Sequence, residues 1–166
     1  MHSGYVCTVK IAKVGPGQES VWDYPRPPRV EAVTAQITVE LGGATIADTT
    51  DAVRVLETSH PPVYYLPREA FADGILQPAP GNSFCEFKGV ASYLSVGPED
   101  GAAWFYPNPN PGYEALEGRV AVYPGRMQRC RVGDDTVTPQ EGDFYGGWIT
   151  PNIVGPFKGA PGTLGW

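Results

Sequence analysis

The sequence predicts a mainly β, single-domain protein with little helix, and three observations carry that expectation. Glycine and proline supply 21 and 18 of the 166 residues, so turns are frequent. Between them lie short runs rich in β-branched and aromatic residues, the composition of strands. No segment keeps a 3.6-residue apolar period for more than about three turns. Gly and Pro density without a repeat also occurs in disordered chains. Here 42% of residues are hydrophobic and the aromatics include 4 Trp, 9 Tyr and 6 Phe, apolar material that disordered chains lack. The length is about that of one domain and allows a sizeable core without disulfides.

The elements divide into a proline-rich arm over 15–29, a β core over 30–132 and a wrapping Gly/Pro/aromatic tail over 139–166. In the arm, Pro16, Pro25, Pro27 and Pro28 forbid a sheet interior and favour extended chain, with Trp22 and Tyr24 placed to pin it to the surface. Ala32–Leu41 reads as a strand that turns at Gly42–Gly43 into Ala44–Asp48. Ala52–Ser59 is the next strand, ended by His60-Pro61-Pro62, and Val63–Leu66 continues extended. Pro67–Ala72 is the one helical turn expected, with proline at its start. Ser83–Val96 reads as one strand broken at Gly89, and Ala102–Tyr106, Arg119–Tyr123 and Met127–Val132 complete the set.

Charge and cysteine usage narrow the function. A net charge of −6 argues against nucleic acid or an anionic membrane as partner, since both need clustered Lys and Arg. Arg126, Arg129 and Arg131 are the densest basic group, on what reads as an edge strand or turn. Cys7, Cys85 and Cys130 form no CxxC pair, and His2 and His60 are the only histidines, so neither a metal site nor any other cofactor is expected. Met1–Lys13 holds no apolar stretch of signal-peptide length and no run is long enough to span a membrane. The expectation is a cytoplasmic protein with reduced thiols.

Four segments in fixed order carry a resemblance. ETSHPPVYYLPREAF, CEFKGVASY, AAWFYPNP and LEGRVAVY, with matching residues Glu57, Tyr65, Pro67, Cys85, Lys88, Gly89, Ala91, Tyr93, Trp104, Tyr106 and Pro107, resemble the domain of unknown function 427 family. The ESVWDYPRPP arm and the GGWITPNIVGPFKG tail resemble a longer branch of it, so the likeness covers nearly the whole chain. The resemblance implies a compact β-barrel or β-tent, the layout of methionine sulfoxide reductase B, and implies no particular reaction.

The residues that carry chemistry follow from their positions. Val53, Val55 and Glu57 share a strand face, so Glu57 continues an apolar row and needs a partner, for which Lys88 is the natural cation. The plainer account of Glu57 is a structural ion pair at one end of the core, and that of Lys88 is a surface lysine paired with Glu86. Gly89 beside Lys88 marks a bulge or a close approach by another group. Tyr65, Tyr93, Trp104 and Tyr106, with Tyr64 nearby, supply apolar walls and hydroxyls, the makings of a small-molecule pocket. His60, at a strand end, is an acid–base partner or an incidental loop residue. Cys85 is a nucleophile or a small buried hydrophobe. The tail segment GPFKGAPGTLG lacks the spacing of a phosphate-binding loop.

These parts suit an acid–base enzyme needing no cofactor, acting on a small organic metabolite by hydrolysis, isomerisation, elimination or cyclisation. In it Glu57 moves the proton and Lys88 stabilises negative charge. The same pocket suits a binding protein without catalysis, and Cys85 suits a thiol-dependent reductase.

Overall fold

β-Branched and aromatic residues alternate along most of the chain, and alternation lets each strand bury one side chain in two. The structure, a computed structural model, describes residues 9–142 and 144–166. Cys7 and His2 lie outside the described residues.

Strand β1 (Glu19–Ser20) belongs to the arm, β2 (Arg29–Val33) follows its prolines, and β3 (Ile37–Leu41) and β4 (Ala44–Thr49) form a hairpin. Next come β5 (Ala52–Leu56), β6 (Val63–Pro67), β7 (Leu76–Cys85), β8 (Gly89–Val96) and β9 (Glu99–Phe105). The remainder are β10 (Arg119–Val122), β11 (Arg129–Val132), β12 (Asp135–Thr136), β13 (Thr138–Pro139), β14 (Trp148–Ile149) and β15 (Ile153–Val154). Helical structure among the described residues is confined to 3₁₀ turns such as Arg68–Ala70 and Pro124–Arg126. No described helix is long and apolar enough to cross a membrane.

One sheet has seven strands in the order β2-β5-β6-β10-β9-β8-β7, and a second has four in the order β12-β11-β3-β4. These pairings leave edges on both sheets, so no closed barrel forms among the described residues. The two sheets share a core in which Ile37 and Val39 of β3 pack with Leu66, Leu94, Val120 and Val122, all buried. Each such side chain contributes about 1.5–3 kcal/mol by leaving water. The opposite face of the seven-stranded sheet carries Val53, Val55, Tyr65, Ala91, Trp104 and Ala121. Neighbours Tyr64 and Tyr65 therefore point to different cores, and Tyr64 stacks on Trp148 from the tail with centroids 4.9 Å apart.

Several expectations are corrected. Ala32–Leu41 is not one strand: the chain leaves the large sheet after Val33 and enters the small one at Ile37. Ser83–Val96 is likewise a hairpin, with Glu86–Lys88 as the turn between β7 and β8. Gly89 opens β8 opposite Cys85 and is no bulge. At φ 115° its missing Cβ would lie 3.3 Å from the Asn108 carbonyl, so the close approach is real. β11, which carries Arg129 and Arg131, lies between β12 and β3, and both arginines approach Glu40, at 3.6 and 3.9 Å.

The arm and the tail are joined to each other and to the core. β1 pairs in parallel with β15, Trp22 Nε1 donates to the Pro156 carbonyl at 2.9 Å, and Trp22 meets Trp166 edge-on at 5.5 Å. Arg54 of β5, largely buried, holds Glu19 of the arm at 2.9 Å and Glu31 of β2 at 2.7 Å. Burial alone would lower its pKa, but these two carboxylates outweigh burial and raise it.

Candidate functional site

The second face of the large sheet is only partly covered, and a cavity of about 250 Å³ opens there. Strand register builds its floor. Val53 pairs with Tyr65, Ala121 with Trp104, and Trp104 with Tyr93, so one row of side chains crosses β5, β6, β10, β9 and β8. Alanine in the middle of that row leaves space for the large rings on either side. Trp104 Nε1 uses it to donate to the Tyr65 hydroxyl at 3.2 Å. Tyr106, just past β9, adds a third ring with its centroid 6.3 Å from that of Tyr65.

Tyr65 is 1% exposed, and burial, the leading cause, holds its hydroxyl well above the usual phenol range. Burial also raises Tyr106, and it pushes Tyr123 up to about 12. All three stay protonated at neutral pH and offer hydroxyl donors rather than phenolates.

Glu57, His60, Lys88 and Cys85 border the same cavity. With Tyr65, Tyr93, Trp104 and Tyr106 they line one space, whereas Tyr64 faces the core between the sheets. The pairing within it differs from expectation. Glu57 lies just beyond the end of β5, and its carboxylate is 3.3 Å from Arg26 of the arm. Lys88 has no ion-pair partner among the described residues, neither Glu57 nor Glu86. It sits in the β7–β8 turn, whose backbone is tied down where the Lys88 carbonyl accepts from Asn110 N at 2.9 Å.

The turn from Glu57 to His60 is clamped from both ends of the chain. His60 N donates to the Glu57 carbonyl at 3.0 Å, and Ser59 between them is buried at a left-handed φ of 73°. From the arm, the Val21 carbonyl accepts from Ser59 N at 3.1 Å, the Tyr24 carbonyl accepts from Thr58 Oγ1 at 2.5 Å, and Arg26 Nη2 donates to the Thr58 carbonyl at 3.0 Å. From the tail, Lys158 N donates to the Ser59 carbonyl at 2.9 Å.

His60 Nδ1 lies 2.9 Å from the Thr58 carbonyl. A carbonyl only accepts, so Nδ1 carries the hydrogen and Nε2 is the lone-pair nitrogen of the neutral ring. Burial is the main cause that lowers the imidazole pKa, and Lys158 and Arg26 add to it against Thr58 and Glu57. At neutral pH the turn therefore presents a neutral imidazole to the cavity that Glu57 also borders.

Tyr123, Gln140 and Tyr145 also wall the cavity. Gln140 is buried and staples the tail, with Oε1 accepting from Gly147 N at 3.1 Å and Nε2 donating to the Lys158 carbonyl at 2.6 Å. Tyr145 meets His60 edge-on at 5.8 Å. Gly146 has to be glycine, since a Cβ there would overlap the Trp104 ring. Phe84 and Phe144, 73% and 78% exposed, stand at the rim. Apart from the glycine run, no local signal in the sequence marks these tail residues, because the tail reaches the site through the fold rather than through any periodic element.

The family model described as Domain of unknown function (DUF427) matches residues 29–133. The chain belongs to this family. No curated protein matches it. The family's matched region contains Glu57, His60, Tyr65, Lys88, Trp104 and Tyr123. Arg26, Gln140, Tyr145 and Lys158, which brace or wall the same cavity, lie outside it.

Cys85 lies half-buried at the end of β7, a free thiol in the cavity. Cys130 is also free but buried in the core between the sheets, where burial pushes its thiol up to about 12. No group of three or more His, Cys, Asp and Glu that suits a metal is found among the described residues.

Proposed function

We propose that this protein is an acid–base enzyme acting on a small organic molecule held in the aromatic cavity. The observation that carries the reading is the meeting of Glu57, His60 and Lys88 on one space whose other walls are Tyr65, Tyr93, Trp104 and Tyr106. Such a mixture of apolar walls and a few convergent polar groups is what small-molecule sites share.

In this reading the Glu57 carboxylate takes the proton and neutral His60 relays or returns it. Arg26 orients Glu57, and Lys88, without an ion-pair partner among the described residues, meets negative charge that develops on the substrate. The protonated tyrosines donate hydrogen bonds to substrate oxygens. Hydrolysis, isomerisation, elimination and cyclisation all draw on these side chains alone. The free thiols suit the reducing cytoplasm that we assign to it. We also read the two open sheets around one core as the β-tent layout of methionine sulfoxide reductase B. Superposing an experimental structure on that enzyme tests this.

The test of function is turnover of a metabolite mixture followed by NMR, with wild-type protein and a Glu57→Gln variant. We expect wild-type protein to consume a component that Glu57→Gln, still folded, leaves intact. A Glu57→Gln chain that fails to fold assigns the carboxylate to the scaffold. A component that binds wild-type protein and is recovered unchanged makes the protein a binder. Loss of turnover in Cys85→Ser would move the chemistry to the thiol.

A further inference from the structure

The aromatic cavity shares a wall with a second one of about 420 Å³: Tyr123, Gln140 and Tyr145 border both. Pockets that hold small ligands span roughly 300–1,000 Å³. The aromatic cavity, at about 250 Å³, falls below that range by itself, whereas the two side by side fall within it.

Their chemistry differs. Rings wall the first, while Gly101, Gly125 and Gly142 expose backbone to the second and Pro139 closes one side. The charged residue in the second is Arg126, and no carboxylate borders it among the described residues. Arg126 is held in place, with Nε donating to Glu99 at 3.1 Å and Nη2 donating to the Asp100 carbonyl at 2.9 Å. Its Nη1 has no protein partner among the described residues. A guanidinium fixed on one edge with donors to spare is suited to a carboxylate or phosphate oxygen.

We propose that the ligand is a two-part molecule. A flat head lies among Tyr65, Tyr93 and Trp104, and a carboxylate or phosphate tail lies in the second cavity against Arg126. The inference rests on the reading of the aromatic cavity as the reaction site and adds the class of molecule that the site takes.

The probes are phenol alone and two series of 4-hydroxyphenyl compounds with increasing alkyl linkers, one ending in carboxylate and one in phosphate. Amide and indole NMR shifts report position: the Trp104 indole N–H for the first cavity, and the Gly101 and Gly125 amides for the second. Phenol is expected to move Trp104 alone. A tailed probe of matching length is expected to move all three and to bind about tenfold tighter, the scale of one charge-assisted hydrogen bond. The better of the two series identifies the anion.

Arg126→Ala should remove that gain and leave phenol binding unchanged. Gly125→Leu is an independent check, because a Cβ at Gly125 meets Pro139 at 3.6 Å, an ordinary contact, while the longer side chain fills the second cavity. Equal binding of phenol and tailed probes at every length, or a gain that survives both variants, overturns the two-part ligand while leaving the aromatic site standing. If no probe moves Trp104, the aromatic-site reading falls and the two-part ligand falls with it.

Discussion

The Trp104 indole N–H donates to the Tyr65 hydroxyl at 3.2 Å from two strands away, over β10, where the residue paired with Trp104 is Ala121. Both partners are buried, so this bond fixes the floor of the cavity. Tyr65→Phe should leave the indole donor unsatisfied and cost about 1–3 kcal/mol in urea unfolding. The Trp104 indole resonance should move at the same time. An unchanged midpoint and resonance would show that the bond is not formed in solution.

Gly146→Ala sets a methyl against the Trp104 ring. The tail has to move away, because the ring is held from below by Tyr65. We expect a loss of about 1–3 kcal/mol, typical of overpacking, together with faster proteolysis near Phe144. Wild-type protease resistance in this variant would mean that the tail does not lie across Trp104.

His60 gives a pH dependence with a definite sign. Its pKa in the folded chain lies below the ordinary value of about 6.5. The unfolded chain therefore takes up the proton first as pH falls. The stabilisation from neutral His60 is whole above about pH 6.5 and is lost as pH falls through the folded pKa. Urea unfolding from neutral pH downward should show this slope, and His60→Asn should flatten it. Arg26→Ala should raise the His60 pKa in an NMR titration and Glu57→Gln should lower it, since those charges act in opposite directions. Shifts of the opposite sign would separate the imidazole from this cluster.

The two described cysteines should differ in reach. At pH 8 a thiol with a pKa of about 12 is ionised in about one molecule in ten thousand, so Cys130 should resist alkylation until the protein unfolds. Cys85, half-buried in the cavity, should react in the native state, and a ligand in the cavity should slow it. Peptide mapping after brief iodoacetamide treatment reads both. Native labelling of Cys130 ahead of Cys85 would contradict the placement of the core.

What could be read from the sequence follows the range of the interactions. The Gly42–Gly43 hairpin is local, two glycines at positive φ between alternating strands, and it was legible. The shared face of Trp104 and Tyr106 follows from the two-residue period of a strand. The cation for Glu57 was not legible, because Arg26 arrives from the arm and nothing in VRVLETS points to it. The break between Val33 and Ile37 carries no glycine or proline, so a change of sheet reads as continuous strand. Gln140 and Tyr145 reach the cavity through the path of the tail, which has no period to follow.

The turn bearing Glu57 and His60 has its supports on both sides of the family's matched region: Val21, Tyr24 and Arg26 before it, Lys158 after it. A chain cut back to the matched region would keep the Glu57 carboxylate and the aromatic floor but lose the brace for the turn and the roof from the tail. Its site would be wider, wetter and less constrained. In this chain the walls and braces of the cavity come in part from segments that a comparison of the shared region leaves out.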